Sequence, residues 1–589
     1  MQTQLSLPQV LAAVEMLPGR MGQFTFRRRV GVNFCTCVLT HIYIRIGAVQ
    51  VQSLSLRKNL QGAWPVIDHF LRRLELTQLL AQHLRSERSA AALQVLVVSI
   101  LLKPNALYRI AEWAQSYVPA CHPGPPPNDD VLGRALDRLF EADRASLLTT
   151  LIVQAVRAFD VQTDQIHNDS TSIKFSGAYA HQHPKGLQLR RGYSKDHRPD
   201  LKQLIYCLCV SADGAVPVHF KAYAGNQTDD PTHWETWQCL CRLLGRSDFL
   251  YVADCKLCAG PTLLQLDQQK GQFITILPRG RSEVSAFAQS AAQCQVRWQY
   301  LWRRRASRTR QRPEIFDLAL GLYQIQEGFR LYWYRSSEKQ RNDAQVRQEC
   351  IAKALARLEQ LNQRRGRGPK TEAAITRAAH NIVAKYRAAP FIDFDIQRKE
   401  QVQFVQTRRG RTSSSSTYKR VLTSIPILSA RQKPEAIAAA QTMDGTFPLV
   451  TNTNLCPLEV LKKYKYQPYL EKRHFLNKSV LEISPVFLKK NTRVEALMFI
   501  YFIAQLVAAL IERAVRQNMA CRALKVLPIL PEGRESKTPS YAQILESFSS
   551  RAKYQLYEEN ALITTFLEPF TQLQETLLDL LEIDAAVYR

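Results

Sequence analysis

Tyr464-Lys465-Tyr466-Gln467-Pro468-Tyr469-Leu470-Glu471-Lys472-Arg473-His474-Phe475-Leu476-Asn477-Lys478 is the stretch from which the rest of the chain is best read. Pro468 is tolerated best in the first turn of a helix, so Gln467 reads as the end of a connection and Glu471 as a first-turn residue of a new helix. Lys478 lies almost two full turns beyond Glu471 and is therefore expected on the same face. A metal-binding acid beside a phosphate-binding cation suits chemistry on a nucleic-acid backbone.

Working outward, 589 residues imply three or more domains, and a hydrophobic share of 46% is ample for buried cores. Lys plus Arg exceed Asp plus Glu by 79 − 51 = 28. That excess, with an isoelectric point near 9.7, points to a polyanionic partner. DNA or RNA is favoured over an acidic membrane, because no long basic amphipathic helix lacks other duties. The bland alternative is a soluble enzyme that is merely basic.

The 13 cysteines are odd in number and scattered, which argues for reduced thiols in a cytoplasm over a disulfide framework. Cys255 and Cys258 form a CxxC pair, but structural zinc would need a second one, and Cys239 with Cys241 is a poor candidate. Cys207 and Cys209 alternate in a strand-like run and read as core. The apolar run 496–511 falls short of the roughly 18 to 20 residues of a membrane span and contains Gln505, so it reads as a buried helix. The N-terminus has no charged region followed by an apolar core and cleavage site, so neither a secretory signal nor a membrane partner is expected.

Residues 1–50 stay an unassigned basic extension around Arg27, Arg28 and Arg29. From 51 to 160 the apolar spacing is helical, as in Val66, Phe70, Leu71 and Leu74, and a small helical domain there is a candidate reader of DNA ends. The period then changes. A short strand is expected to end at Asp169, two strands flank the turn Asp213-Gly214, and another ends at Asp254. This is an α/β arrangement over 161–285. Between 286 and 445 the composition becomes basic, with Arg303, Arg304 and Arg305 interleaved among Trp298, Tyr300 and Trp302, and basic loops at 364–370 and 408–419. This block reads as an insertion, mainly β, with a charged helical stretch near Gln345 to Leu361. The core resumes over 446–535, and 536–589 reads as a helical tail.

Asp169 and Asp254 are expected at the carboxyl ends of strands, where an open α/β sheet places ligand-binding groups, with Glu471 on a helix that crosses them. Singly, each reads as a turn or surface acid. The passages His167-Asn168-Asp169-Ser170-Thr171-Ser172, 192–203 and 464–478, with 481–513 behind the last, resemble bacterial insertion-sequence transposases of the DDE type, in the insertion sequence 4 group and its 1634-type branch. Weaker similarity runs through Gly225-Asn226, 232–237, Val252-Ala253-Asp254 and Asp444-Gly445-Thr446-Phe447.

The resemblance implies a ribonuclease-H-like catalytic core interrupted by a β-rich insertion. It also implies that Asp169, Asp254 and Glu471 are the catalytic residues and ligands of two Mg2+ ions, with Mn2+ as a substitute. The family signature falls on Tyr464, Gln467, Glu471 and Lys478, with Gln467 where the family has arginine. A neutral amide lacks the bidentate charge, so either the phosphate contact is weaker or Arg473 supplies it. Lys195, His197 and Arg198 are further candidates for DNA phosphate, against a solvated loop. His167 is either a neighbour of the first acid or a satisfied core histidine. Trp298 and Trp302 either stack an extruded base or fill the insertion's own core.

The implied activity is cut-and-paste transposition through a hairpin intermediate, on double-stranded DNA comprising the element's terminal inverted repeats and its target. A homodimer would hold two ends in a synaptic complex, in the bacterial cytoplasm at the nucleoid. The alternatives are a catalytically inactive or repurposed DNA-binding protein of the same fold, and a metal-dependent DNA nuclease without strand transfer.

Overall fold

The apolar run 496–511 is the middle of a longer helix, Asn491–Cys521. By length and composition this helix is apolar enough to cross a membrane, but 94% of its most apolar window is buried inside the protein. The computed structural model describes residues 40–43, 53–117, 125–177, 179–192, 198, 200–227, 232–306, 312–363, 371–481, 488–558 and 561–588. The chain is mixed α/β and divides into two compact units, 1–249 with 466–589, and 250–465.

In the first unit, helices Trp64–Arg73, Glu87–Leu102 and Asp129–Glu141 pack on Asn491–Cys521. The helical segment expected as a separate N-terminal domain is thus part of this core. The reason is visible in Glu87–Leu102, where Leu93, Val97, Val98 and Leu101 are all buried. Apolar residues around so much of the circumference need neighbours on several sides. Aromatic stacking reinforces the packing, with Trp64 on Trp113 at 5.6 Å and Phe70 on Phe159 at 5.5 Å.

Strands β1 (Thr40–Tyr43) and β2 (Ser53–Leu60) join a sheet that ends in β15 (Ala552–Glu558) and β16 (Ala561–Leu567), in the order β1-β2-β15-β16. The tail expected to be helical therefore contributes a hairpin, which pairs antiparallel with β2. The second sheet of this unit runs β5-β4-β3, all antiparallel, with β3 at Gln165–Phe175, β4 at Lys202–Ser211 and β5 at Pro217–Ala224. Asp213-Gly214 turns between β4 and β5, and Gly214 takes a φ of +77°, open to glycine at little cost. Phe220 of β5 stacks on Phe502 at 4.7 Å, which seats the sheet on the long helix.

In the second unit β6 (Leu250–Val252) pairs in parallel with β7 (Gln272–Ile276), joined through the helix Gly260–Gln268. The sheet continues antiparallel through β14 (Thr446–Thr451), β11 (Arg330–Ser336), β9 (Glu314–Ala319) and β8 (Trp298–Arg304), with β10 (Tyr323–Gln324) beside β11. Leu250, Ile274, Phe316, Tyr334 and Leu449 form its core. The insertion is not mainly β. It also holds helices Ser337–Gln363 and Glu372–Lys385, which pack with the base of a long hairpin, β12 (Ile392–Gln406) and β13 (Tyr418–Gln432).

Candidate functional site

The site is built around the join between β3 and the helix Gln467–Phe475. Helix formation starts at Gln467 with Pro468 in the first turn, so Glu471 falls in the second turn and not the first. The strand is longer than expected and continues to Phe175, which puts Asp169 in its middle and not at its carboxyl end. Alternation along a strand places His167 and Asp169 on one face. The helix meets that face at two points. Gln467 Oε1 lies 2.8 Å from His167 Nδ1, and Gln467 Nε2 donates to the Asn168 carbonyl at 3.1 Å. Two turns later His474 Nε2 lies 3.6 Å from Asp169 Oδ2.

Glu471 stands between those contacts in sequence, at the i+4 position from Gln467. At 100° per residue it is about 40° around the helix from Gln467, on the rim of the same face. It is exposed, whereas Gln467 and His474 are buried. The strand side is locked as well. His167 is fully buried and also bonds Gln165 at 2.7 Å, and the Asn168 amide donates to Cys207 and Cys209 Sγ of β4 at 3.0 and 3.1 Å. His167 is therefore a satisfied core histidine, its two ring nitrogens bridging Gln165 and the helix.

The expected DNA contacts of Gln467 and Arg473 are corrected here. Both side chains are buried and bonded inside the unit. The Arg473 guanidinium donates to the Ala215 and Gly214 carbonyls, each at 2.9 Å, and pairs with Glu512 Oε2 at 2.9 Å. Arg513 reaches the same turn, bonding the Phe159 and Asp160 carbonyls and the Asp213 carboxylate. A charge buried with full partners is a structural clamp, since turning it to a phosphate would break its bonds to the turn and leave Glu512 with the Arg516 cation, at 3.4 Å.

The pairing of Glu471 with Lys478 on one helical face also fails. After Phe475 the backbone widens into a π turn over Leu476–Val480, so the spacing no longer measures two α turns. Gln505, a lone amide in the apolar run, explains how the helix end is held. Its Nε2 donates to the Arg473 carbonyl at 2.7 Å and its Oε1 accepts from Asn477 at 3.3 Å. A polar residue in an otherwise apolar run was the signal in the sequence that could have marked this role.

In the second unit, Asp254 follows β6 as expected. Its Oδ1 accepts from the Lys256 amide at 3.0 Å, and its carbonyl accepts from Thr275 at 2.6 Å. Tyr464 packs against this unit's core. Arg303 and Arg305 are exposed, while Arg304 is half-buried with Glu314 at 4.0 Å. Trp302 stacks on Phe316 at 5.4 Å, and Arg335 lies over Trp298 at 4.5 Å, so both tryptophans serve the unit's own packing. In the first unit, Arg198 is exposed and grips Asp200 through two bonds of 2.8 and 2.7 Å. The expectations for Lys195, His197 and the basic loop at 364–370 fall outside the described residues. Among the described residues, no group of three or more His, Cys, Asp and Glu side chains stands in an arrangement that could hold a metal ion.

No family model matches the chain, and no curated protein matches it. Among solved structures it is similar to a piggyBac transposase synaptic complex with hairpin DNA, at 12% identity and a TM-score of 0.25. The match covers 43% of this chain and 52% of that one, so the chain spans about half the length of the transposase it matches.

Proposed function

We propose that this protein is a DNA transposase of the DDE type, with a ribonuclease-H-like core, that cuts a strand at an element end and joins the freed 3′ hydroxyl to target DNA. The observation that carries the reading is the join at His167 and Gln467. Two passages 300 residues apart in sequence resemble the same enzyme family, and they meet through a 2.8 Å hydrogen bond. That contact supports Asp169 and Glu471 as parts of one working surface. Asp254, on its own strand end, completes the proposed set.

Carboxylate oxygens are the hard donors that Mg2+ prefers. The three acids do not stand as a metal-holding group among the described residues, so Mg2+ enters from the resemblance alone, and it would supply charge neutralisation at the phosphate. Mn2+ is the proposed substitute. His474 Nε2 lies 3.6 Å from the Asp169 carboxylate, and in this reading it is a positioning group for that acid. A hairpin intermediate, a homodimeric synapse of two ends and a place at the bacterial nucleoid belong to the same proposal.

The test is an assay with labelled end DNA, unlabelled target and Mg2+. Asp169→Ala, Asp254→Ala and Glu471→Ala should each abolish joined product while end binding survives. Full strand transfer by any one of them rejects the assignment of that acid. Cleavage without joined product by the unaltered protein points to a nuclease, and neither cleavage nor joining points to a DNA-binding protein.

A further inference from the structure

The most exposed regular element of the second unit is the hairpin of β12 and β13. Its two strands pair in register over fifteen residues each, from Ile392↔Gln432 to Gln406↔Tyr418, without a bulge. At about 3.4 Å per residue the ribbon is roughly 50 Å long. Its base is anchored, because Ile392 and Leu428 are buried against the helices Ser337–Gln363 and Glu372–Lys385, with Phe394 and Ile396 packed beside them. Alternation puts Val402, Phe404, Leu422 and Tyr418 on the same face further out, and there they are 39%, 68%, 62% and 50% exposed.

Charge divides the ribbon in the same way. Near the base Arg431 pairs with Asp393 at 3.1 Å and Arg398 with Glu372 at 3.4 Å. Beyond Glu400 the ribbon carries Arg408, Arg409, Arg411, Lys419 and Arg420 and no acidic residue before Glu435. Among the described residues none of these five pairs with a carboxylate. A second copy of the chain is a poor occupant of this face, since it would bring like charges together. A polyanion is complementary.

We propose that the distal half of the β12–β13 ribbon is an arm that enters the major groove of duplex DNA, its tip arginines on phosphates and its Phe404 and Leu422 face against base edges. The major groove is wide enough for a two-stranded ribbon, and apolar side chains meet thymine methyl groups there. This rests on the reading of DNA as the substrate. It adds a grip remote in sequence from the three acids, on an element whose exposed apolar face has no packing role at its outer end.

The test uses the full chain and duplexes rich in A·T or in G·C, with binding followed by fluorescence anisotropy between about 50 and 200 mM salt. Combined Arg408→Ala, Arg409→Ala and Arg411→Ala should reduce the slope of log affinity against log salt by about 2 to 3, one phosphate contact per cation. Phe404→Ser with Leu422→Ser should keep the slope and lose the preference for A·T-rich duplex. Both variants alter exposed positions, and an unchanged thermal melt confirms folding. If the unaltered protein binds no duplex, the DNA reading falls and the arm with it. If it binds and the arginine variant matches it in affinity and slope, the arm alone is overturned. A Phe404→Ser, Leu422→Ser variant that turns a dimer into a monomer with DNA binding intact also overturns the arm, in favour of self-association.

Discussion

At the residue scale, the departure of Gln467 from the arginine of the resembling family has a physical account. The side chain is buried and spends both ends of its amide on β3, so it fastens the helix to the strand of Asp169. Gln467→Ala should leave His167 and the Asn168 carbonyl short of partners and lower the stability of the DNA-free protein by about 2 kcal/mol. Chemical denaturation without DNA measures this, and an unchanged midpoint would return Gln467 to a surface role. His219 on β5 gives a second residue-scale prediction. Burial pushes its pKa down from 6.5 to about 4, helped by Lys221 and opposed by Glu235. The folded pKa lies below the unfolded one, so between those values the unfolded chain binds more protons. The stability contribution is intact above pH 6.5, falls as the pH drops, and levels off below about 4. The loss reaches about 3 kcal/mol in all, with about 2 of that by pH 5. His219→Leu removes the group, so the variant should lose less stability than the unaltered protein between pH 7 and 5, in denaturant titrations at both values. Equal losses reject the assignment.

At the element scale, what could be read from the sequence was what neighbours in sequence decide. The turn Asp213-Gly214 announced β4 and β5 because φ is positive there, and a short apolar run announced β6 before Asp254. The pairing of β15 with β2 was not legible. Asn59 donates to Gln555 at 2.9 Å across 496 positions, and no local period carries such a partner. The same limit hid the length of β3, whose outer residues Lys174 and Phe175 are held by Gln203 and Lys202 of β4. In the candidate site, the residue types Asp, Glu, Gln and Arg were legible, but which of them are buried was not. Arg473 reads as a surface cation in a run of Lys, Arg and His, and becomes a clamp because Glu512 and the Gly214 turn surround it. The β12–β13 ribbon is a mixed case. Its basic loop was readable from composition, while the uncovered apolar face depends on where the supporting helices end.

At the scale of the whole molecule, a net charge of +28 and two separate cores have different consequences. The charge governs association with polyanions and not the fold, so the fold must rest on the cores and the few buried ion pairs. Among the described residues each unit has a pair with both side chains under 10% exposed. In the first, Arg473 and Glu512 are 5% and 8% exposed at 2.9 Å. In the second, Arg347 and Asp444 are both 8% exposed and joined by two bonds of 2.7 and 2.6 Å. Asp444 leads into Gly445, whose φ is +78° and whose amide is held by Asp343 at 3.0 Å, so this pair secures the entry to β14. Removing Arg347 leaves Asp444 uncompensated and costs about 3 to 5 kcal/mol, whereas removing Arg473 costs less, because Arg516 still reaches Glu512 at 3.4 Å. A chain with two such cores is expected to unfold in more than one step. Arg473→Met should therefore move one denaturation transition of the full chain to lower urea, and Arg347→Met the other. Tryptophan fluorescence separates them, because Trp64 and Trp113 stack in the first unit whereas Trp302 and Trp333 lie in the second. A single transition shifted equally by both substitutions would show that the two cores melt as one cooperative body, and that the division at Phe249 and Lys465 has no thermodynamic counterpart.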